Sequence, residues 1–221
     1  MEVMTMSNEK YVKRFSKFIV IAHWTNAISF IMLVLTGLPL FLEIKVPDVF
    51  QIIHRVFAVT FLLPTPFMIL MDRKGFMQWT KSAWSWSKRD FQFLAMFPLE
   101  LIGKAKNVPK QDFFNGGQKL NSVLTILGAI TMVISGFIMW FKELFPVEVV
   151  RWAYPVHDAG MAIMVAVIIG HIYLSVGHPA SRPSFMGMTK GVVPESYAKA
   201  HHGRWYDELK EKNERRKVKL S

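Results

Sequence analysis

The chain has 221 residues, of which 52% are hydrophobic and 19% are charged, and its formal net charge at pH 7 is +11. It contains no cysteine, which excludes disulfide bonds, thiol catalysis and iron–sulfur clusters held by this chain. Redox chemistry would therefore need a cofactor held by other ligands, and seven histidines are available.

The first predicted element is a membrane-spanning helix over residues 17–42. No formal charge interrupts the sequence between Lys17 and Glu43, and this run is long enough to cross a bilayer. Basic residues before the run are typical of a signal peptide. The run is too long for one, however, and it lacks a small-residue cleavage site. We therefore expect a helix that stays in the protein.

Three further spans complete a predicted four-helix bundle. Pro64 and Pro66 are expected to kink the second span, which membrane helices tolerate when neighbours satisfy the freed backbone groups. The fold class is thus an all-α membrane protein with four transmembrane helices in a single membrane domain, residues 1–221. The three later spans are expected at about residues 50–71, 119–141 and 152–177.

Two polar segments lie outside the spans, a middle loop over residues 72–118 and a tail over residues 178–221. The loop is rich in aromatic residues and predicts an amphipathic interfacial helix around residues 90–104. A connecting loop with an aromatic belt is the alternative. The charged end of the tail predicts a further cytoplasmic helix.

The basic residues are strongly segregated along the chain. Most of the 27 Lys and Arg residues lie before the first span, in the middle segment up to Lys119, or after the fourth span. By the positive-inside rule, both termini and the middle loop face the cytoplasm. The net charge is then a topology signal with some anionic-lipid contact, and nucleic-acid binding is not expected. The basic residues on the other side are Lys45, Arg55, Lys142 and Arg151.

Four histidines fall within the spans, where ionisable residues are costly and usually functional. Helix direction places two near the cytoplasmic side, the inner pair His23 and His171. It places the other two near the opposite side, the outer pair His54 and His157. Two ligands from different helices, matched in depth and present twice, suit two six-coordinate haems. Structural histidines or a proton relay remain alternatives, and a metal without porphyrin lacks further convergent ligands.

The spacing on the fourth span supports this interpretation. His157 and His171 are 14 residues apart, about 21 Å along a helix and within roughly 40° of one face. His178 lies on the same face and is the competing inner ligand. Arg55 could pair with a haem propionate or simply reach the interface. Glycines could leave room for a macrocycle or serve close helix packing; they are Gly37, Gly136, Gly160 and Gly170.

Short motifs over nearly the whole chain resemble those of one known family. Together they resemble the gamma subunit of membrane-bound formate dehydrogenases, a cytochrome b that recurs in related respiratory enzymes. The motifs are His23-Trp24-Thr25, Ile53-His54, Phe114-Asn115-Gly116-Gly117-Gln118-Lys119, Gly136-Phe137-Ile138-Met139-Trp140, the two histidines of the fourth span, and Lys199-Ala200-His201-His202-Gly203-Arg204-Trp205-Tyr206.

The resemblance implies two b haems and a quinone site. In that family the histidines that match the inner and outer pairs are the haem ligands. The menaquinone pocket lies beside the inner haem, and here its residues are Asn115, Gly117, Gln118 and His171. Amides can donate to and accept from a quinone oxygen, and glycine permits close approach. The residues alone favour a turn or a helix cap around Asn115 over a quinone site.

The resulting hypothesis is the quinone-reactive electron-transfer subunit of an oxidoreductase complex in a bacterial or archaeal cytoplasmic membrane. An iron–sulfur subunit and a catalytic dehydrogenase subunit are expected on the outer face, with a higher oligomer possible. Electrons would pass through two haem b groups to menaquinone or another quinone. The alternatives are the equivalent subunit of a hydrogenase or of a thiosulfate or polysulfide reductase, a haem-free membrane anchor, and a ferric reductase. The ferric reductase is disfavoured because no segment is long enough for a flavin domain.

Overall fold

The computed structural model describes residues 9–218. Over this range the chain is almost entirely helical, and four of its helical segments are long and apolar enough to cross a membrane. Their exposed residues are mostly large and apolar, as lipid-facing surfaces require. This confirms the expected all-α membrane fold with four spanning segments.

The first two spans form an antiparallel pair. Helix α1 (Lys17–Phe41) begins at Ser16, whose side chain accepts a hydrogen bond from the backbone N–H of Ile19. The second span consists of α2 (Val49–Leu62) and α3 (Pro64–Met71), which pack against α1. The interruption at Leu63 lies where the prolines predict it, because Pro64 has no N–H for the helical ladder.

The last two spans form the second antiparallel pair. Helix α6 (Gly116–Trp140) packs along α7 (Val147–Ile172), and a π-helical turn over Tyr173–Gly177 prolongs α7. Helix α7 begins five residues before the expected start at 152. The span was expected to begin after the charge of Arg151. Pro146 at the N-cap and Glu148 in the first turn favour an earlier start of the helix.

The remaining elements lie at the end of the bundle where α1 and α6 begin, which we call the basic end. The middle segment forms α4 (Arg73–Trp84) and α5 (Lys88–Leu101), so a helix lies close to the residues where an interfacial helix is expected, and another precedes it. The tail forms α8 (Phe185–Lys190), α9 (Glu195–His201) and α10 (Gly203–Val218).

A two-stranded antiparallel sheet, which the sequence did not predict, joins the N-terminal segment to the tail. Strand β1 (Tyr11–Lys13) pairs antiparallel with β2 (Val192–Pro194). Between α8 and β2, Gly191 has φ of 73°, a left-handed conformation that glycine adopts without a Cβ penalty. Its carbonyl accepts hydrogen bonds from the backbone N–H groups of Arg14 and Phe15. Both strands have three residues, too few for a sequence pattern to reveal.

The best-packed core lies at the basic end rather than among the spans. Phe15, Phe113 and Phe114 are buried there, with Trp79 and Trp205 packed against them. A second small core around Tyr197 joins the tail helices. The N-terminal segment, the middle segment and the tail therefore form one folded cap on the bundle, and this cap surrounds the start of α6.

Candidate functional site

The inner histidines meet between the first and last spans. His23 lies within the first two turns of α1, and His171 lies in the last turn of α7. Their ring centres are 6.1 Å apart, with the ring planes inclined at 62°. The pairing expected from helix direction is therefore the one that the structure brings together.

The outer histidines meet in the same way near the opposite end of the bundle. His54 lies in the second turn of α2 and His157 in the N-terminal half of α7. Their ring centres are 6.4 Å apart, again inclined at 62°. The ring nitrogen Nδ1 of His54 lies 2.9 Å from Thr36 Oγ1, and Nδ1 of His157 lies 2.9 Å from Ser135 Oγ.

Both separations fit two imidazoles on opposite sides of one metal ion. With metal–nitrogen bonds of about 2.0 Å and roughly 1 Å from nitrogen to ring centre, the two ring centres would be about 6 Å apart. No cluster of three or more His, Asp or Glu side chains within residues 9–218 could hold a bare metal ion. Two ligands per site therefore suit a metal whose other positions are filled by a macrocycle.

Two of the four glycines lie against the outer histidines. A Cβ added at Gly37 would lie 3.1 Å from Cε1 of His54, and one at Gly136 would lie 3.2 Å from Cε1 of His157. These glycines let the rings lie close to α1 and α6. The other two have different surroundings: Gly160 packs against Met132, and Gly170 has open space at its Cβ position.

His178, the competing inner ligand, has other contacts. Its Nε2 lies 3.0 Å from the carbonyl oxygen of Leu101, and its Nδ1 lies 3.3 Å from Ser181 Oγ. The ring thus joins the end of the fourth span to the end of α5. His171 is the residue beside His23, so the structure favours it as the inner ligand.

Arg55 lies near the outer pair and stacks on an aromatic ring. Its guanidinium carbon is 5.4 Å from the ring centre of Trp140, the last residue of α6. This is a cation–π contact in which the charged group reaches the interface. The arginine is exposed, and its geometry is that of the interfacial alternative.

The amides of the expected quinone motif also cap α6. Asn115 Oδ1 accepts a hydrogen bond from the backbone N–H of Gln118 at 2.8 Å, and Gln118 Oε1 accepts one from the backbone N–H of Asn115 at 3.2 Å. The cap uses the oxygen of each amide. Each NH₂ group remains as a donor for a ligand. Both interpretations of this motif are thus compatible.

Arg14, one of the basic residues before the first span, is buried next to this motif. Its Nη2 donates to the carbonyl of Phe113 at 2.6 Å and to Gln118 Oε1 at 3.2 Å. Burial lowers the pKa of Arg14 to about 10, which leaves the guanidinium charged at neutral pH. It also lies over the rings of Phe113 and Trp205, so it joins the tail to the motif.

A buried ion pair follows immediately in α6. Lys119 is fully buried, and its Nζ lies 2.8 Å from Asp90 Oδ1 and donates to the carbonyl of Ser85 at 2.8 Å. Asp112 Oδ2 lies 3.8 Å from the same Nζ. Burial raises the pKa of Asp112, although Lys119 opposes this shift. No sequence pattern indicates this pair, because Lys119 is a single charge at the end of an apolar run.

Comparison with known proteins agrees with this geometry. The profile of the prokaryotic cytochrome b561 family matches residues 14–191, which contain both histidine pairs and all four spans. The chain belongs to this family. The match covers most of the chain and ends just before strand β2, so it includes α8 and leaves out α9 and α10.

The chain is also similar to curated proteins that are named as subunits of formate dehydrogenases. The nitrate-inducible formate dehydrogenase cytochrome b556(Fdn) subunit of Escherichia coli is 29% identical over 96% of this chain and 97% of its own length. The cytochrome b556 subunit of Haemophilus influenzae formate dehydrogenase is 25% identical, over 94% of this chain and 87% of its own length. The cytochrome b556(fdo) subunit of E. coli is 27% identical, over 89% and 92%. The similarity to these relatives thus covers more of the chain than the family profile does.

Proposed function

We propose that this chain is the di-haem b membrane subunit of a respiratory formate dehydrogenase. It carries electrons from an iron–sulfur partner on the outer face to a quinone near the cytoplasmic side. The observation that carries the proposal is the presence of two histidine pairs at two depths in a cytochrome b561 family chain. The names of the relatives favour formate over hydrogen or sulfur compounds as the substrate of the complex.

The four histidines would hold the two haems, with His54 and His157 binding one and His23 and His171 the other. When bound, haem b supplies a reversible one-electron carrier at each depth. His157 and His171 lie 14 residues apart on α7, so the two sites are separated by about 21 Å along the helix. The chain's own contribution is to orient the four imidazoles and to exclude water around them with apolar helices.

The quinone is placed at the basic end, beside His171 and the start of α6. The NH₂ groups of Asn115 and Gln118 donate hydrogen bonds to a quinone oxygen, and Gly117 permits its approach. Arg14 donates a hydrogen bond to Oε1 of Gln118 and thereby orients this amide. With the basic end in the cytoplasm, the protons for quinol formation come from that side, and charge crosses the membrane with each turnover.

The proposal is tested by haem content and by histidine variants. The complex, purified from membranes, is measured by reduced-minus-oxidised absorption and by haem per polypeptide. We expect two b haems in the parent protein. His54→Ala and His157→Ala should each remove or alter one haem, and His23→Ala and His171→Ala the other. His178→Ala is the matched control and should retain both, because its ring binds backbone and hydroxyl groups.

Other outcomes would exclude parts of the proposal. A parent protein without haem would leave the histidines as structural groups in a membrane anchor. Variants of the inner and outer pairs that affect the same haem would refute the assignment of ligands by depth. Two haems without a formate dehydrogenase partner in the purified complex would support the di-haem cytochrome and refute its assignment to that enzyme.

A further inference from the structure

Two hydroxyl side chains contact the outer histidines in matching positions. Thr36 on α1 contacts Nδ1 of His54, and Ser135 on α6 contacts Nδ1 of His157, each at 2.9 Å. Both hydroxyl residues are nearly fully buried, at 4% and 2% exposure. The same arrangement therefore occurs twice, once in each antiparallel helix pair.

The direction of these hydrogen bonds follows from the other contacts of each hydroxyl. Thr36 Oγ1 has one hydrogen to donate, and its acceptors are backbone carbonyls of its own helix, that of Met32 at 2.7 Å and that of Leu33 at 3.3 Å. Ser135 Oγ has the equivalent acceptors in α6, the carbonyl of Thr131 at 2.7 Å and that of Met132 at 3.3 Å. Each hydroxyl oxygen can then only accept from the histidine. The hydrogen of each ring is thus on Nδ1, and Nε2 keeps a free lone pair.

The residue after each hydroxyl completes the arrangement. Gly37 follows Thr36 and Gly136 follows Ser135, and each glycine lies against the Cε1 edge of the same histidine ring. A Cβ at 3.1 or 3.2 Å from Cε1 would press on the ring. A hydroxyl residue followed by glycine therefore lies against the histidine of the neighbouring span in both helix pairs.

The inner pair has no equivalent contact. Among residues 9–218, no protein group forms a hydrogen bond with a ring nitrogen of His23 or His171. On α1, the hydroxyl of Thr25, two residues after His23, donates to the carbonyl of Ile21. The hydroxyl–glycine arrangement thus distinguishes the outer pair from the inner pair.

We propose that Thr36 and Ser135 are positioning residues that set the tautomer and the basicity of the two outer haem ligands. This inference rests on the proposed haem function. A hydrogen bond from Nδ1–H raises the basicity of Nε2 as a ligand. A more basic ligand stabilises ferric iron more than ferrous iron, so the two hydroxyls lower the reduction potential of the outer haem alone.

The test uses hydroxyl removal with a conservative rescue. Thr36→Val and Ser135→Ala are made in the full complex, and the midpoint potentials and low-spin electron paramagnetic resonance signals of both haems are recorded. We expect the outer haem to shift to a higher potential with an altered low-spin signal, and the inner haem to remain unchanged. Thr36→Ser and Ser135→Thr should restore the parent values.

Matched controls remove hydroxyls that bond only to their own helix. Thr60 donates to the carbonyl of Val56, and Thr131 donates to the carbonyl of Leu127. Thr60→Val and Thr131→Val should leave both haems as in the parent protein. A change equal to that of Thr36→Val would overturn the proposal, because any hydroxyl would then have the same effect.

The outcomes separate this inference from the proposed function. If the parent protein has two haems and both variants retain parental potentials and signals, the positioning role is refuted and the haem assignment stands. If a variant loses one haem and the conservative variant restores it, the positioning role is supported. If the parent protein has no haem, both proposals fail.

Discussion

At the scale of single residues, the amides at the start of α6 show how one motif can serve two purposes. Asn115 and Gln118 satisfy backbone N–H groups through their oxygens, which leaves their NH₂ groups directed elsewhere. Replacement by alanine would remove cap and donor together. Replacement by the matching acid keeps an oxygen for the cap, removes the donor and adds a negative charge.

The amide motif therefore gives a sharp prediction. Asn115→Asp and Gln118→Glu should retain both haems and the parental melting temperature but lower kcat/KM for quinone roughly tenfold each, the effect of about one hydrogen bond. Quinone reduction by formate is the assay, with a soluble dye that accepts electrons before the quinone step as control. Unchanged quinone kinetics in both variants would confine the motif to its capping role.

At the scale of elements, the spans could be predicted from sequence and the cap on the basic end could not. Apolar runs bounded by charges located the four spans, and helix direction alone paired the histidines correctly in space. The hydrophobic pattern did not reveal that Arg14 and Lys119 are buried, because their partners are distant in the sequence. Arg14 donates to Phe113, 99 residues away, and Lys119 pairs with Asp90 in α5. The hydroxyls of Thr36 and Ser135 were missed because a single Thr or Ser in an apolar helix is ordinary.

The tail helices contribute a pH-dependent element to this cap. His202 is fully buried, its Nδ1 donates to the carbonyl of Asp112 at 2.9 Å, and its Nε2 has no partner within residues 9–218. Burial holds the pKa of His202 well below 6.5, and the charges of Arg14 and His201 act in the same direction. The folded protein thus keeps this ring neutral where the unfolded chain would be protonated.

We expect the free energy of unfolding to fall as the pH drops below about 6.5, since the unfolded state then binds more protons than the folded state. Melting temperatures between pH 5 and pH 8 measure this slope. His202→Gln should flatten the slope, whatever its effect on absolute stability, because glutamine does not titrate. His201→Gln should change the slope less, since its ring is only partly buried. Equal slopes in the parent protein and His202→Gln would contradict the prediction.

At the scale of the whole molecule, the N-terminal segment from residue 9, the middle segment and the tail up to residue 218 meet at one end of the bundle. The pairing of β1 with β2 joins the N-terminal segment to the tail. Arg14 contacts Trp205 in the tail and donates to the carbonyl of Phe113 just before α6. These are also the segments that carry most of the basic residues. The folded cap and the charge distribution thus both indicate that these segments lie on one side of the membrane. The proposed quinone site is on that side.

The orientation can be tested directly because the chain has no cysteine of its own. Asn213→Cys on α10 and Glu143→Cys between α6 and α7 each place one thiol on an exposed position at opposite ends of the bundle. In intact spheroplasts, a membrane-impermeant maleimide should label Glu143→Cys and leave Asn213→Cys unlabelled until the membrane is opened. The reverse pattern would put the basic end outside, move the quinone site to the outer face and remove charge translocation from the mechanism. Labelling of both thiols in intact spheroplasts would show instead that the four spans do not all cross the membrane.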